Sequence, residues 1–138
     1  PTLVFAQAND GSMGDFVMGT GSPGGATIIQ YVAKTLVGVL DWGLNAQQAT
    51  SMIDFGAANS VTTNVGGEHP NVNIVAPVGG VAGDSDPLVS GLRALGHIVS
   101  VAAQSSGIGT IVKTQRSGAT VLEGGADPRR EGLTLAHV

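Results

Sequence analysis

A turn carrying four glycines, G-T-G-S-P-G-G over residues 19–25, joins the apolar run D-F-V-M to the apolar run A-T-I-I-Q-Y-V-A-K-T-L-V-G-V-L. Glycine adopts positive φ without penalty and lets a ligand or a second backbone approach closely, so this junction dictates a sharp strand-to-helix corner. Gly19, Gly21 and Gly24 also spell G-x-G-x-x-G, the pattern of dinucleotide-binding turns. That reading needs an acidic residue at the end of the following strand to take the ribose hydroxyls. Here the helix runs through L-D-W-G-L-N into a second helix, so Asp41 falls at a helix end, and Pro23 removes one N–H that a phosphate would want. A tight turn packed from small residues is the plain alternative. A third reading keeps the geometry and changes the chemistry: consecutive glycines opening a helix present backbone N–H groups toward one point and can stabilise a developing oxyanion.

The runs T-L-V-F-A-Q and D-F-V-M-G-T, separated by a segment containing Asp10-Gly11, predict a β-hairpin. Ile28, Ile29, Val32, Leu36, Val37, Val39 and Leu40 recur near helical spacing and predict a helix buried on more than one side, with Pro23 in its first turn. Gly43 ends it, and Asn45 is placed to cap a second helix over A-Q-Q-A-T-S-M-I. Residues 55–85 read as loop with one edge strand, V-N-I-V-A. Asp86 then caps a third helix with Pro87 at its first position, and Gly96 stops it. The strands I-V-S-V-A-A, T-I-V-K-T-Q and A-T-V-L-E-G follow, the last two joined around R-S-G. Strands that come in hairpins, without strict alternation with helices, predict an α+β layer structure with mixed or antiparallel sheets.

A chain of 138 residues has room for one domain, 1–138. Only 12% of its residues are charged, which leads us to expect another polypeptide over part of the surface. A formal charge of −4 with basic residues scattered, apart from Arg129 and Arg130, opposes nucleic-acid binding. The absence of cysteine excludes disulfides and thiol chemistry, and no apolar run reaches the ~18 residues of a membrane span. His69, His97 and His137 lack metal-ligand spacing. His97 is expected at a helix C-terminus, Asp84 and Asp86 as caps in place of a calcium site, Asp127 with Arg129 as a turn and ion pair, and Trp42 and Tyr31 as helix packing. Pro1 reads as a chain boundary and not as a base.

Taken in order, the P-T start, G-T-G-S-P-G-G-A-T-I-I with L-D-W-G-L-N-A-Q-Q-A-T, L-R-A-L-G-H-I-V, G-T-I-V and G-G-A-D-P-R-R-E-G resemble the C-terminal part of the small subunit of γ-glutamyltransferases, also called γ-glutamyltranspeptidases or glutathione hydrolases. The resemblance implies part of an N-terminal-nucleophile hydrolase with an αββα sandwich. Such enzymes arise from a precursor that cleaves itself into a large and a small subunit, exposing a threonine that forms a γ-glutamyl ester, which water or an amino-acid or peptide acceptor then resolves. By the same resemblance Gly24 and Gly25 are the oxyanion-hole glycines and lie with Ser22 beside the substrate, Ser22 and Thr27 also serving as supporting or capping groups. No cofactor or metal is implied.

The nucleophilic threonine, a serine pair and the carboxylate-binding arginine of the large subunit belong upstream of Pro1. Thr2, preceded by Pro1 at the strand start, is not the nucleophile. The chain is therefore expected to be inactive alone, its partners being the large subunit and the N-terminal part of the small subunit. M-I-D-F-G stands where the family has A-P-R-F, which leaves the choice among glutathione, other γ-glutamyl amides and related acylase substrates open. Family analogy implies a periplasmic or extracellular setting. Two other functions stay open at this level: a catalytically silent binding or structural module of the same fold, and the dinucleotide-binding loop.

Overall fold

The first hairpin pairs β1 (Thr2–Gln7) with β2 (Met13–Gly21). Asp10 shapes its turn by accepting from the Ser12 N–H at 2.9 Å, while Gly11 takes φ +83°. The structure is a computed structural model and describes residues 1–57 and 59–136. After β2 a 3-10 turn, Gly25–Thr27, leads into α1 (Ile28–Leu40), so Pro23 precedes the helix where the sequence placed it inside. Gly43, at φ +66°, separates α1 from α2 (Ala46–Ser51). Asn45 caps α2 as expected: its side chain accepts from the Gln48 N–H, and the Gln48 side chain returns a bond to the Asn45 N–H.

Two short strands follow that the sequence did not reveal, β3 (Phe55–Gly56) and β4 (Thr62–Gly66). The expected strand V-N-I-V-A does not form. Its backbone is drawn into side-chain bonds instead: the Asn73 N–H donates to Asp86 Oδ2 at 2.9 Å and the Val75 N–H to Asn73 Oδ1 at 3.1 Å. α3 (Pro87–Ala94) is capped by Asp86, whose Oδ1 accepts from the Leu88 and Val89 N–H groups. β5 (Ile98–Ala102), β6 (Gly109–Arg116) and β7 (Ala119–Ala126) complete the chain, with Ser117 and Gly118 both at positive φ in the β6–β7 turn.

One sheet is antiparallel in the order β1-β2-β6-β7, and the other runs β3-β4-β5 with β4 and β5 parallel across α3. The first sheet buries one face. Met18, Ala46 and Val112 form its core, with Val4, Leu36 and Val39 against them. Thr20, Thr50 and Thr110 join hydroxyls there at 3.0 Å. Gly125 is needed where α2 meets this face, because a Cβ would fall 2.5 Å from the Ala46 carbonyl oxygen. The opposite face, crossed by the register row Leu3, Gly19, Ile111, Gly124, stays largely open: Leu3 is 64% and Leu122 67% exposed. A second core, Val65, Val72 and Val89, fills the space beneath the smaller sheet.

α1 corrects the sequence reading. Its fully buried residues are Tyr31, Lys34, Thr35 and Gly38, whereas Ile29 is 79% and Leu40 50% exposed. The helix thus turns a polar-containing stripe inward, flanked by Leu36 and Val39, and leaves Ile29, Val37 and Leu40 as an apolar stripe outward. The reason is an ion pair: Lys34 Nζ lies 2.9 Å from Asp54 Oδ1, both side chains being buried. Lys34 also donates to the Met52 carbonyl at 2.6 Å. Removing one member of a buried pair strands the other charge and typically costs about 3–5 kcal/mol. Asp54→Asn is therefore expected to lower the unfolding free energy by roughly that amount, read as a lower urea midpoint; an unchanged midpoint would show that the pair does not hold α1 in place.

Candidate functional site

β2 ends at Gly21 and the backbone turns through Ser22 and Pro23 into Gly24, at φ +145°, and Gly25, at φ +57°. Two successive residues with positive φ explain the glycines, since an L side chain in the left-handed region costs about 1–2 kcal/mol. The turn is closed at the Gly24 carbonyl, which accepts from the Thr27 N–H at 3.1 Å and from Thr27 Oγ1 at 2.6 Å. Thr27 stands at the N-cap position of α1 but makes no side-chain capping bond, its hydroxyl closing the turn instead. Among the described residues, no hydrogen bond has the Gly24 or the Gly25 N–H as donor. Two uncommitted donors at the start of a helix can receive negative charge.

The surroundings of the two glycines differ. A Cβ on Gly24 would fall 2.7 Å from Tyr31 Cε2, whereas one on Gly25 would meet nothing within 4 Å among the described residues. Tyr31 thus floors the turn beneath Gly24 while Gly25 faces open space. Ser22 Oγ accepts from the Gly107 N–H at 3.0 Å and donates to the Pro23 carbonyl at 2.7 Å, so its hydroxyl engages this chain's own backbone. An open groove of about 740 Å³ begins at Gly21 and runs along the exposed sheet face past Gly109, Ile111 and Gly124 to Arg130; Gly24 and Gly25 do not line it.

Behind the turn sits a cluster of charges that the sequence disclosed only in part. The expected Asp127–Arg129 pair is present, Nη1 to Oδ1 at 3.1 Å. Arg129 Nε also lies 2.7 Å from Glu68 Oε1 and 3.2 Å from Asp54 Oδ2, and Nη2 donates to the Met52 carbonyl at 2.7 Å. Lys34, Asp54, Glu68, Asp127 and Arg129 therefore form one network. The Asp54 oxygens are buried and meet Lys34 and Arg129 as ion pairs without aligned hydrogen bonds. Burial pushes the Lys34 ammonium below its ordinary value, with Asp54 opposing that shift. Burial alone would raise the Asp127 and Glu68 carboxyls. For Asp127 the Ile108 N–H, the Ser106 hydroxyl and Arg129 outweigh it, and for Glu68 Arg129 and the Gln104 N–H do, so both lie below their ordinary values.

Other expectations resolve simply. His69 Nδ1 accepts from the Asn71 N–H, leaving Nε2 to donate to the Ser51 carbonyl at 3.0 Å. The His97 N–H bonds the Leu92 carbonyl at the end of α3, and its ring meets Thr63 Oγ1. His137 lies outside the described residues. Asp84, expected as a cap, does not cap α3: Asp86 does, while Asp84 pairs with Arg93 and accepts from the Val81 N–H. No metal-competent cluster of His, Asp or Glu occurs, and no helix is long and apolar enough to cross a membrane, among the described residues. β2 is antiparallel to both neighbours, and Gly19 and Gly21 lie inside it. The dinucleotide reading, which needs a parallel βαβ unit, is thereby set aside. Trp42, expected as a packing residue, is 57% exposed.

Residues 1–137 match the family model described as Gamma-glutamyltranspeptidase. No curated protein sequence matches the chain. Among solved structures, a variant gamma-glutamyltranspeptidase from Helicobacter pylori aligns with TM-score 0.67 at 19% identity, covering 94% of this chain and 60% of that one. A highly active variant of the enzyme from Pseudomonas nitroreducens gives TM-score 0.67 at 19% identity over 100% of this chain and 61% of that one. A cephalosporin acylase from Bacillus halodurans gives 0.64 at 21% identity over 89% of this chain and 21% of that one. The chain thus spans about three fifths of the first two neighbours. Its fold class is the expected one, α+β with mixed sheets and flanking helices, as in the gamma-glutamyltranspeptidase structures with which it aligns.

The charge network carries a pH signature. Asp127 and Glu68 have ordinary values of 3.8 and 4.5 and titrate lower in the folded state. The unfolded chain therefore binds more protons in this range, and stability falls as pH falls. The contribution is complete above those ordinary values and drains away as pH drops through the lowered ones. Thermal melts between pH 6 and pH 3 should show a loss that is smaller in Asp127→Asn; equal losses would remove Asp127 from the titration.

Proposed function

The chain belongs to the gamma-glutamyltranspeptidase family, and from that membership we propose that it is the C-terminal portion, as one domain over 1–138, of the small subunit of a γ-glutamyltransferase or hydrolase. The substrate class is glutathione or a related γ-glutamyl amide. The observation that carries this reading is the pair of uncommitted N–H groups on Gly24 and Gly25, both at positive φ, at the head of α1. They serve as the oxyanion hole, with Ser22 bordering the substrate.

The hydroxyl of an N-terminal threonine upstream of this chain attacks the γ-carbonyl carbon, its proton passing to that threonine's own α-amino group. Negative charge then collects on the carbonyl oxygen, where the two N–H groups receive it. Collapse expels the amine with the proton and leaves a γ-glutamyl ester. Water or an amine acceptor takes the acyl group and returns a proton to the threonine oxygen. The remaining parts of the site come from the large subunit and the N-terminal part of the small subunit. The open apolar face around Leu3, Ile111 and Leu122, together with a 12% charged composition, supports contact with those segments.

Loss of one oxyanion donor typically costs about 10²–10³ in kcat. Gly25→Ala, which meets no steric obstacle but disfavours the left-handed turn, is expected to lower kcat by at least ~10-fold in the assembled enzyme while the protein still folds. Gly24→Ala, which collides with Tyr31, should lower stability as well. Release of p-nitroaniline from γ-glutamyl-p-nitroanilide and the intact mass of the threonine-bearing chain provide the readout. An acyl adduct with turnover supports the reading. Binding of a γ-glutamyl ligand without an adduct would instead establish a silent module.

A further inference from the structure

We propose that Asp127 and Ser22 are positioning residues that set the geometry of the glycine turn through the segment 105–108; this rests on Gly24 and Gly25 acting as oxyanion donors. Asp127 is 3% exposed, and both of its carboxylate oxygens are engaged. Oδ2 accepts from Ser106 Oγ at 2.5 Å and from the Ile108 N–H at 3.0 Å, and Oδ1 accepts from the Arg129 N–H at 2.9 Å and from Nη1 at 3.1 Å. The Asp127 N–H in turn donates to the Ile108 carbonyl at 2.9 Å. The residues on either side of Gly107 are thus pinned to one carboxylate.

Gly107 transmits that constraint. Its N–H donates to Ser22 Oγ at 3.0 Å, and a Cβ there would fall 3.0 Å from Pro23 Cγ and 2.6 Å from Arg130 Cδ. Segment and turn are therefore in close contact as well as hydrogen-bonded, with Ser22 two residues before Gly24. A second brace reaches the same turn from below. Tyr31 packs on Gly24, its hydroxyl donates to Gln104 Oε1 at 3.2 Å, and the Gln104 N–H donates to Glu68 Oε2 at 2.7 Å. Glu68 closes the circuit on Arg129 at 2.7 Å, next to Asp127. Donor direction decides how well an oxyanion is met, and here the turn is braced from two sides by one network anchored on the buried Asp127.

The two roles open to Ser22 separate kinetically. A hydroxyl that binds substrate affects KM when removed, whereas one that aims transition-state donors affects kcat. In the assembled enzyme, with γ-glutamyl-p-nitroanilide as substrate, Ser22→Ala is expected to lower kcat by about 10-fold at nearly constant KM, with the melting temperature little changed. Asp127→Asn should lower kcat in the same manner among molecules that fold. Should that variant fail to fold, Ser22→Ala decides alone. An unchanged kcat in Ser22→Ala, with Gly25→Ala still impaired, overturns the positioning role and leaves the oxyanion reading standing; a rise in KM alone also overturns it. Absence of turnover in the unsubstituted assembled enzyme, or an unimpaired Gly25→Ala, removes the oxyanion reading and this inference together.

Discussion

The charge network of Lys34, Asp54, Glu68, Asp127 and Arg129 is the constraint on which the rest of the architecture depends. Its members come from the middle of α1, from the stretches just before β3 and just after β4, and from the segment after β7. A single ion cluster thereby ties the antiparallel sheet to the mixed one and α1 to both. Charges withdrawn from water are costly unless closely partnered. That cost fixes relative placement: a shifted helix would leave Lys34 or Asp54 alone in the interior. Two modest apolar cores then need only fill the space that the charges define.

The same cluster connects structure to chemistry. Arg129 and Glu68 support Gln104 and Tyr31 under the turn, while Asp127 grips the segment that touches Ser22 and Pro23. The donors proposed for the oxyanion are backbone amides, which have no rotamers to lose but are only as well aimed as the chain that carries them. A turn with two residues at positive φ has little regular secondary structure to hold it. Buried electrostatics substitute for the helix or strand bonds that the turn cannot make, which is a physical reason for ionic groups in the interior beside a glycine turn.

Local chemistry was well written in the sequence. Asn45 and Asp86 were legible as caps, Asp10-Gly11 and R-S-G as hairpin turns, and the glycine pair as a sharp strand-to-helix corner, because each depends on neighbours only a few positions away. What escaped depends on distant partners. β4 is short and polar-leaning, and its parallel mate β5 arrives only after α3, so no hairpin signal announces it. The V-N-I-V-A run has strand composition but gives its amides to Asp86 and Asn73. On α1 the apolar positions suggested the buried face; Leu36 and Val39 do reach the core, yet the fully buried positions are Tyr31, Lys34, Thr35 and Gly38. One signal was available: a lone lysine within an apolar helix requires a partner, and M-I-D-F-G supplied an aspartate at a point where the family pattern differs. The outward apolar stripe of Ile29, Leu40 and Trp42 was not foreseen because periodicity reports that a face is apolar, not what it meets.

The central claim is that Gly24 and Gly25 hold the oxyanion. It is tested most directly by a crystal structure of the assembled enzyme carrying a γ-glutamyl phosphonate bonded to its nucleophile, a stable mimic of the tetrahedral intermediate. The account predicts a phosphonyl oxygen within about 2.7–3.1 Å of both the Gly24 and the Gly25 nitrogen. A phosphonyl oxygen bound by other groups, with both glycine amides turned away, would contradict it.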